Sequence, residues 1–161
     1  MLTTVDVMPD TARLWVYQSD RNLSKTEIEW VRQRTQLFLD QWAAHGQGLT
    51  ASYLLEHDQF LILMVDERHE AASGCSIDAS VSLIRELEQY LGNSFLDRSK
   101  VAILKDNKVQ LLPLNGIKKA IAEGVILPNT SVFNNSVSTF GEWKSQWQQP
   151  ASSSWMARFF N

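Results

Sequence analysis

The chain has 161 residues, 44 % of them hydrophobic and 20 % charged, which is typical of one globular domain with its own core and excludes a largely disordered chain. Cys75 is the only cysteine, which excludes a disulfide scaffold, and the longest apolar run, Phe60–Val65, is too short to span a membrane. The formal net charge is −3, and residues 1–80 carry twelve acidic side chains against six lysines and arginines, a balance that disfavours nucleic acid as a partner.

The first elements are a short strand and a capped helix. Leu14–Tyr17 is a run of β-branched, aromatic and aliphatic residues, which predicts a strand. Ser24 and Glu27 have the spacing of a capping box, in which each side chain bonds the other residue's backbone amide. Apolar residues then recur at helical spacing and predict a helix over residues 25–43. Gly46 and Gly48 are predicted to end that helix, since glycine adopts the left-handed conformation without steric cost.

Two strands and a second helix follow. Ala51–Glu56 alternates in polarity and Phe60–Val65 is continuously apolar, which predicts a partly exposed strand and then a buried one. Either Ser76 or Asp78 is predicted to cap the second helix, which carries an apolar stripe and ends at Gly92.

The remaining pattern defines the predicted topology. Strands at Val101–Leu104 and Val109–Leu112 form a hairpin, followed by a short helix over Gly116–Glu123. The order through the fourth strand is β-α-β-β-α-β, the split βαβ or ferredoxin-like arrangement. We therefore predict an α+β fold in which two main helices cover one face of an antiparallel sheet and the hairpin extends that sheet.

The C-terminal arm, Pro128–Asn161, differs in composition from the rest of the chain. It holds seven aromatic residues and only three charged ones. Exposed aromatic side chains are costly because each carries a large apolar surface. We therefore expect one domain over residues 1–161, with a core at about 11–125 and the arm packed on it. The surface covered is the uncovered face of the sheet, either in the same chain or in a second copy.

The most distinctive candidate site is the junction before the second helix. It places the thiol of Cys75 among the candidate binding residues Ser73, Gly74, Ser76 and Asp78. Free amides and the helix dipole at such a position favour a thiolate or a bound anion. A lone cysteine is also commonly a small buried apolar residue, so a purely structural role is the alternative.

The predicted topology adds further residues to this site. In a split βαβ fold, the loop after the first helix and the loop before the second lie at the same end of the sheet. This brings His45 and Gly46 towards Cys75, and Asp66 leaves the buried strand at the same end. A hypothesis of cysteine-dependent catalysis follows, with Cys75 as nucleophile, His45 as base and Asp66 as the residue that orients the base.

Five stretches spread over the chain have a distinctive sequence: ARLWVYQS (Ala12–Ser19), QWAAHGQGLTASY (Gln41–Tyr53), VDERHEAASGCSIDASV (Val65–Val81), TSVFNNSV (Thr130–Val137) and PASSSWMARFF (Pro150–Phe160). They resemble a family of small bacterial proteins that often carries the label "ABC transporter ATPase". The family has no established activity, so the resemblance implies no substrate, cofactor or catalytic residue. Its closing motif is expected to hold a histidine where this chain has Met156.

The sequence favours a binding protein over an enzyme. No G-x-x-x-x-G-K-[ST] loop is present, which excludes a Walker-type ATPase, and no histidine pair has the spacing of a metal site. We expect no cofactor, no nucleic-acid partner, no membrane insertion and a cytoplasmic location. The main hypothesis is a domain that binds a small anion or a protein at the start of the second helix. The alternatives are the cysteine-dependent enzyme and a homodimeric interaction module.

Overall fold

The structure is a computed structural model that describes every residue from Met1 to Asn161. The helices are α1 (Lys25–Gln41), α2 (Gly74–Leu91), α3 (Ile117–Ala122) and α4 (Phe140–Gln146). The strands are β1 (Arg13–Gln18), β2 (Ala43–Ala44), β3 (Gln47–Gly48), β4 (Thr50–Glu56), β5 (Phe60–Asp66), β6 (Lys100–Lys105), β7 (Lys108–Pro113), β8 (Ser131–Phe133) and β9 (Gln148–Pro150). Helices and antiparallel strands together confirm the predicted α+β class. No helix is both long enough and apolar enough to cross a membrane.

Helix α1 begins as its sequence predicts. The Ser24 hydroxyl accepts from the Glu27 amide at 3.2 Å, and the Glu27 carboxylate accepts from the Ser24 amide at 2.9 Å. Arg21 adds a two-pronged ion pair to the same carboxylate, at 2.9 and 2.6 Å. These contacts, the Arg21 hydrogen bond first, lower the pKa of Glu27 to about 2. The first turn of α1 therefore carries a fixed negative charge.

The end of α1 differs from the prediction. The helix stops at Gln41, and Trp42 caps it in an extended conformation. Gly46 serves another purpose, because it forms the two-residue turn of the small β2–β3 hairpin with His45. Both turn residues have positive φ, 51° and 77°, as this tight type of hairpin requires. A glycine with positive φ fits a helix stop and a hairpin turn equally well, which explains the error.

Helix α2 begins earlier than predicted. Its N-cap is Ser73, not Ser76 or Asp78, and Ser76 is its capping-box partner. The helix thus starts at Gly74 and places Cys75 in its first turn. Its end is as predicted, since Gly92 caps it in the left-handed conformation with φ 65°.

Strand β5 is the centre of a three-stranded antiparallel sheet, with β1 on one side and β4 on the other. In this sheet, Val16 of β1 and Leu54 of β4 both lie opposite Ile62. Every residue of β5 is buried, which agrees with its continuous apolar run.

The predicted fourth strand does not join this sheet. β6 pairs with β7 and β8 instead, in a separate four-stranded sheet of order β7-β6-β8-β9. The start of the outer edge of β1 is taken by the C-terminal arm, where Arg13 forms an antiparallel bridge with Thr139. The β6–β7 hairpin therefore does not extend the first sheet, because β5 pairs with one edge of β1 and the arm pairs with the start of the other edge.

The two faces of the first sheet are covered by different parts of the chain. Leu61, Leu63 and Val65 point to the helical face and pack with α1 and α2. The alternate residues of β5 pack against the arm on the other face, in a cluster that includes Phe60, Ile62, Met64, Phe133, Phe140 and Trp147. The arm therefore covers the sheet of its own chain.

A third hydrophobic cluster joins β6, α3 and the end of the arm. Ile103 of β6, Ile117 of α3 and Met156 near the chain end are all buried in it. Trp155, Phe159 and Phe160 pack partly buried against this cluster. The aromatic residues at the end of the arm thus belong to the packing of the second sheet.

Candidate functional site

The start of α2 is a capped helix end whose serines bond each other. The Ser73 hydroxyl accepts from the Ser76 amide at 3.1 Å, and the Ser76 hydroxyl accepts from the Ser73 amide at 2.7 Å. Cys75 and Gly74 are exposed. Just before the helix, the Glu67 carboxylate accepts from the Ala72 amide at 2.8 Å. Most polar groups around the junction are thus already paired within the chain.

Asp66 is buried and engaged with Arg68. Its two carboxylate oxygens accept from the Arg68 guanidinium at 2.9 and 2.7 Å, and Oδ1 also accepts from the Arg68 amide at 3.1 Å. The guanidinium hydrogen bonds, foremost, hold the pKa of Asp66 below its usual range. The hydrogen bonds of this carboxylate therefore stabilise the loop that follows β5.

The C-terminal end of α1 lies against the N-terminal end of α2. The indole N–H of Trp42, at the end of α1, donates to the Ser76 carbonyl of α2 at 2.8 Å. His45 lies exposed in the hairpin turn that follows, and Asp78 is exposed on α2. No hydrogen bond joins any two of Cys75, His45 and Asp66. No group of three or more histidine, cysteine or acidic side chains is arranged to hold a metal ion.

A cleft of about 370 Å³ opens beside β1 at its far end from this junction. Its apolar lining comes from both sheets, from the segment after α2 and from the arm, and includes Val16, Phe95, Val101, Leu114, Phe133 and Trp155. Its size lies within the range of small-molecule sites, ~300–1,000 Å³. The cleft occupies the space between β1 and β6 that a continuous sheet would have closed.

A chain of side-chain hydrogen bonds crosses the base of this cleft. The indole N–H of Trp147 donates to Asn135 Oδ1 at 3.0 Å, and Asn135 Nδ2 donates to Gln18 Oε1 at 2.9 Å. Gln18 Nε2 then donates to the Lys100 carbonyl at 3.3 Å. These bonds link the arm, β1 and β6, and they fix which way the two amides point.

Two cations lie at the cleft. Arg98 and Lys100 are exposed lining residues, and neither forms a salt bridge. The one carboxylate of the lining, Asp97, accepts from the Ser99 amide at 2.8 Å and from the Ser99 hydroxyl at 2.6 Å. These hydrogen bonds hold the pKa of Asp97 below its usual range, and the Lys100 charge adds to the effect. The ionisable lining residues therefore leave an excess of positive charge.

The segment that carries Arg98 is anchored at the end of α2. The Glu88 carboxylate accepts from the amides of Phe95 and Leu96 at 2.7 and 3.1 Å. Asp20 Oδ1 accepts from the Ser94 amide at 2.9 Å, which ties the segment to the chain after β1. Two carboxylates thus hold the wall of the cleft in place through backbone donors.

Sequence reasoning did not identify the cleft. Gln18 lies 82 positions from Lys100 and 117 from Asn135, so no local motif could connect them. The available signal was weak: a polar residue at the end of an apolar strand, and two cations around the start of another strand. Neither points to a site without the pairing of the strands.

The comparisons with known proteins add no relative. No protein-family model matches this chain, no curated protein does, and no solved structure does.

Proposed function

We propose that this protein is a binding domain and that its cleft takes a carboxylate attached to an apolar group. The observation that supports this best is the pairing of apolar walls with Arg98 and Lys100, two cations without a carboxylate partner. A carboxylate at the mouth of the cleft is attracted by both exposed cations, while the apolar walls remove its apolar group from water.

In this proposal each part of the cleft has its own role. The apolar part of the ligand packs against Phe133 and Trp155, and the carboxylate binds Arg98 and Lys100. The Gln18–Asn135 pair keeps the base of the cleft polar and fixed in shape. Since the amides already satisfy each other, they contribute shape and orientation more than net affinity.

Titration calorimetry with phenylacetate tests this proposal, with phenylacetamide as the neutral analogue. We expect phenylacetate to bind and phenylacetamide to bind at least about tenfold more weakly, since hydrogen bonds to charged groups contribute roughly 1.5–3 kcal/mol. A double variant, Arg98→Gln with Lys100→Gln, loses the preference for the acid. Its matched control is Lys105→Gln with Lys108→Gln at the far end of the same hairpin.

Two results overturn the proposal. One is that neither compound binds at millimolar concentration. The other is that the double variant at the cleft binds phenylacetate as well as the control variant does.

The start of α2 is the second candidate, for a small inorganic anion. Its first turn carries no acidic residue, unlike that of α1, and the amides of Gly74 and Cys75 have no acceptor in the protein. Inorganic phosphate, followed by amide chemical shifts, separates the two sites. Shifts at Gly74 and Cys75 support this candidate, and shifts confined to the cleft contradict it.

A further inference from the structure

Strand β1 has one fully paired edge and one edge that is paired only at its start. β5 occupies the inner edge over the whole strand. On the outer edge, the Leu14 amide donates to the Ser138 carbonyl and the Phe140 amide donates to the Ala12 carbonyl, both at 2.9 Å. The arm residues just before this pairing, Asn134 to Ser136, diverge from β1 and line the cleft.

The backbone of Val16 faces the same outer side as that of Leu14. In an antiparallel sheet, the amide and carbonyl of every second residue point to the same edge. Val16 makes no backbone hydrogen bond on that side, and it lines the cleft. From Val16 to Gln18 the open edge is about 7 Å long. The side chain of Gln18 makes two hydrogen bonds across it: Nε2 donates to the Lys100 carbonyl, and Oε1 accepts from Asn135 Nδ2 of the arm.

We propose that the carboxylate bound in the cleft belongs to an extended acidic peptide segment, which adds as a strand to the outer edge of β1. This inference rests on the proposed function and names its ligand class. The Val16 amide and carbonyl supply the main-chain pairing that a strand seeks at an open edge. A small carboxylate alone leaves both of these groups to water.

Charge complementarity selects an acidic segment. Successive side chains of an added strand point to opposite sides. One side meets Phe95, which packs with the helical cluster, and the neighbouring Arg98; the other meets Phe133 of the arm cluster. A segment that alternates glutamate and valine therefore directs its carboxylates to the cations and its apolar side chains to the arm.

Hydrogen exchange read by NMR, together with calorimetry, tests the strand addition. The probes are an acetylated hexapeptide of alternating valine and glutamate, the same peptide N-methylated on the residues that pair, and phenylacetate. We expect the unmodified peptide to slow exchange of the Val16 amide at least about tenfold, because that amide gains an acceptor. Phenylacetate leaves the Val16 rate within about twofold, and N-methylation weakens peptide binding about tenfold or more. The Leu14 amide, already bonded to Ser138, is the internal control.

The possible results separate the two proposals. If phenylacetate binds at the cleft but the peptide gives no protection of Val16, strand addition is wrong and the binding function stands. If neither probe binds, both are wrong. If Val16 exchanges as slowly as Leu14 in the free protein and the protein has the mass of a dimer, a second copy occupies the edge. That outcome overturns the proposal of a separate peptide.

Discussion

The start of α2 and the cleft beside β1 both bring polar groups to the surface, but they use them differently. At the start of α2, Ser73 and Ser76 bond each other and Asp66 bonds Arg68, so the polar groups close their own local structure. At the cleft, two cations remain unpaired beside apolar walls, and a strand edge remains open. Reactive residue types in a sequence thus do not indicate by themselves which polar groups the fold leaves without partners.

The largest effect is expected on the cleft side, from Trp147→Ala. Trp147 is 4 % exposed, packs edge-on against Phe60 and at a tilt against Phe133, and donates to Asn135. We expect a loss of about 3–5 kcal/mol in the free energy of unfolding, since the change leaves a cavity and an unpaired amide oxygen. Urea denaturation measures it, with the exposed Gln146→Ala as control. A loss below about 1 kcal/mol contradicts the role of the arm as the second half of the core.

A smaller effect is expected at the helix caps, where the two capping boxes differ in charge. Ser73→Ala removes the cap of α2 and costs about 1 kcal/mol. Because this box is neutral, that cost is unchanged between pH 4.5 and 2. Glu27→Gln in the α1 box behaves differently, since the carboxylate has a folded pKa of about 2 against an ordinary 4.5.

The sign follows from that lowered pKa. The stabilisation from the Glu27 charge is fully present above pH 4.5 and is lost as the pH falls towards 2. The unfolding free energy of Glu27→Gln therefore falls less steeply than that of the unmodified protein over this range, as chemical denaturation at each pH measures. If the unfolding free energies of the two proteins fall equally steeply with pH over this range, the Arg21–Glu27 pair is not the cause.

The smallest effect is expected for Cys75→Ser. The thiol is exposed in the first turn of α2 and forms no disulfide. We expect a change within about 0.5 kcal/mol in unfolding free energy and no change in phenylacetate affinity. If Cys75→Ser loses phenylacetate binding while its stability is unchanged, the result favours the start of α2 over the cleft as the binding site.

Local signals were enough to predict several elements. The Ser24–Glu27 spacing defines the start of α1, and the apolar run of β5 gives its full burial. The Ser73 cap was missed because its partner is Ser76, a residue that is not the usual glutamate or glutamine at that position. In each case the signal lay in residues within one short segment of the chain.

Pairing between distant segments could not be predicted in this way. The sequence of β6 suits a strand, but nothing in it indicates β8 as its neighbour instead of β1. The cleft exists only because of that choice, so its residues could be recognised only from the fold. Cys75 could be singled out from its residue type alone, whereas the role of Gln18 depends on distant partners.

The covering of β1 and β5 by the arm has a consequence for biosynthesis. The ribosome delivers both strands well before Phe133 and Trp147, which complete the cluster over Phe60. During that interval the nascent chain exposes an apolar sheet face and an unpaired strand edge. Both features promote association between incomplete chains. The risk of aggregation is therefore highest during translation, before the C-terminal arm docks on the sheet.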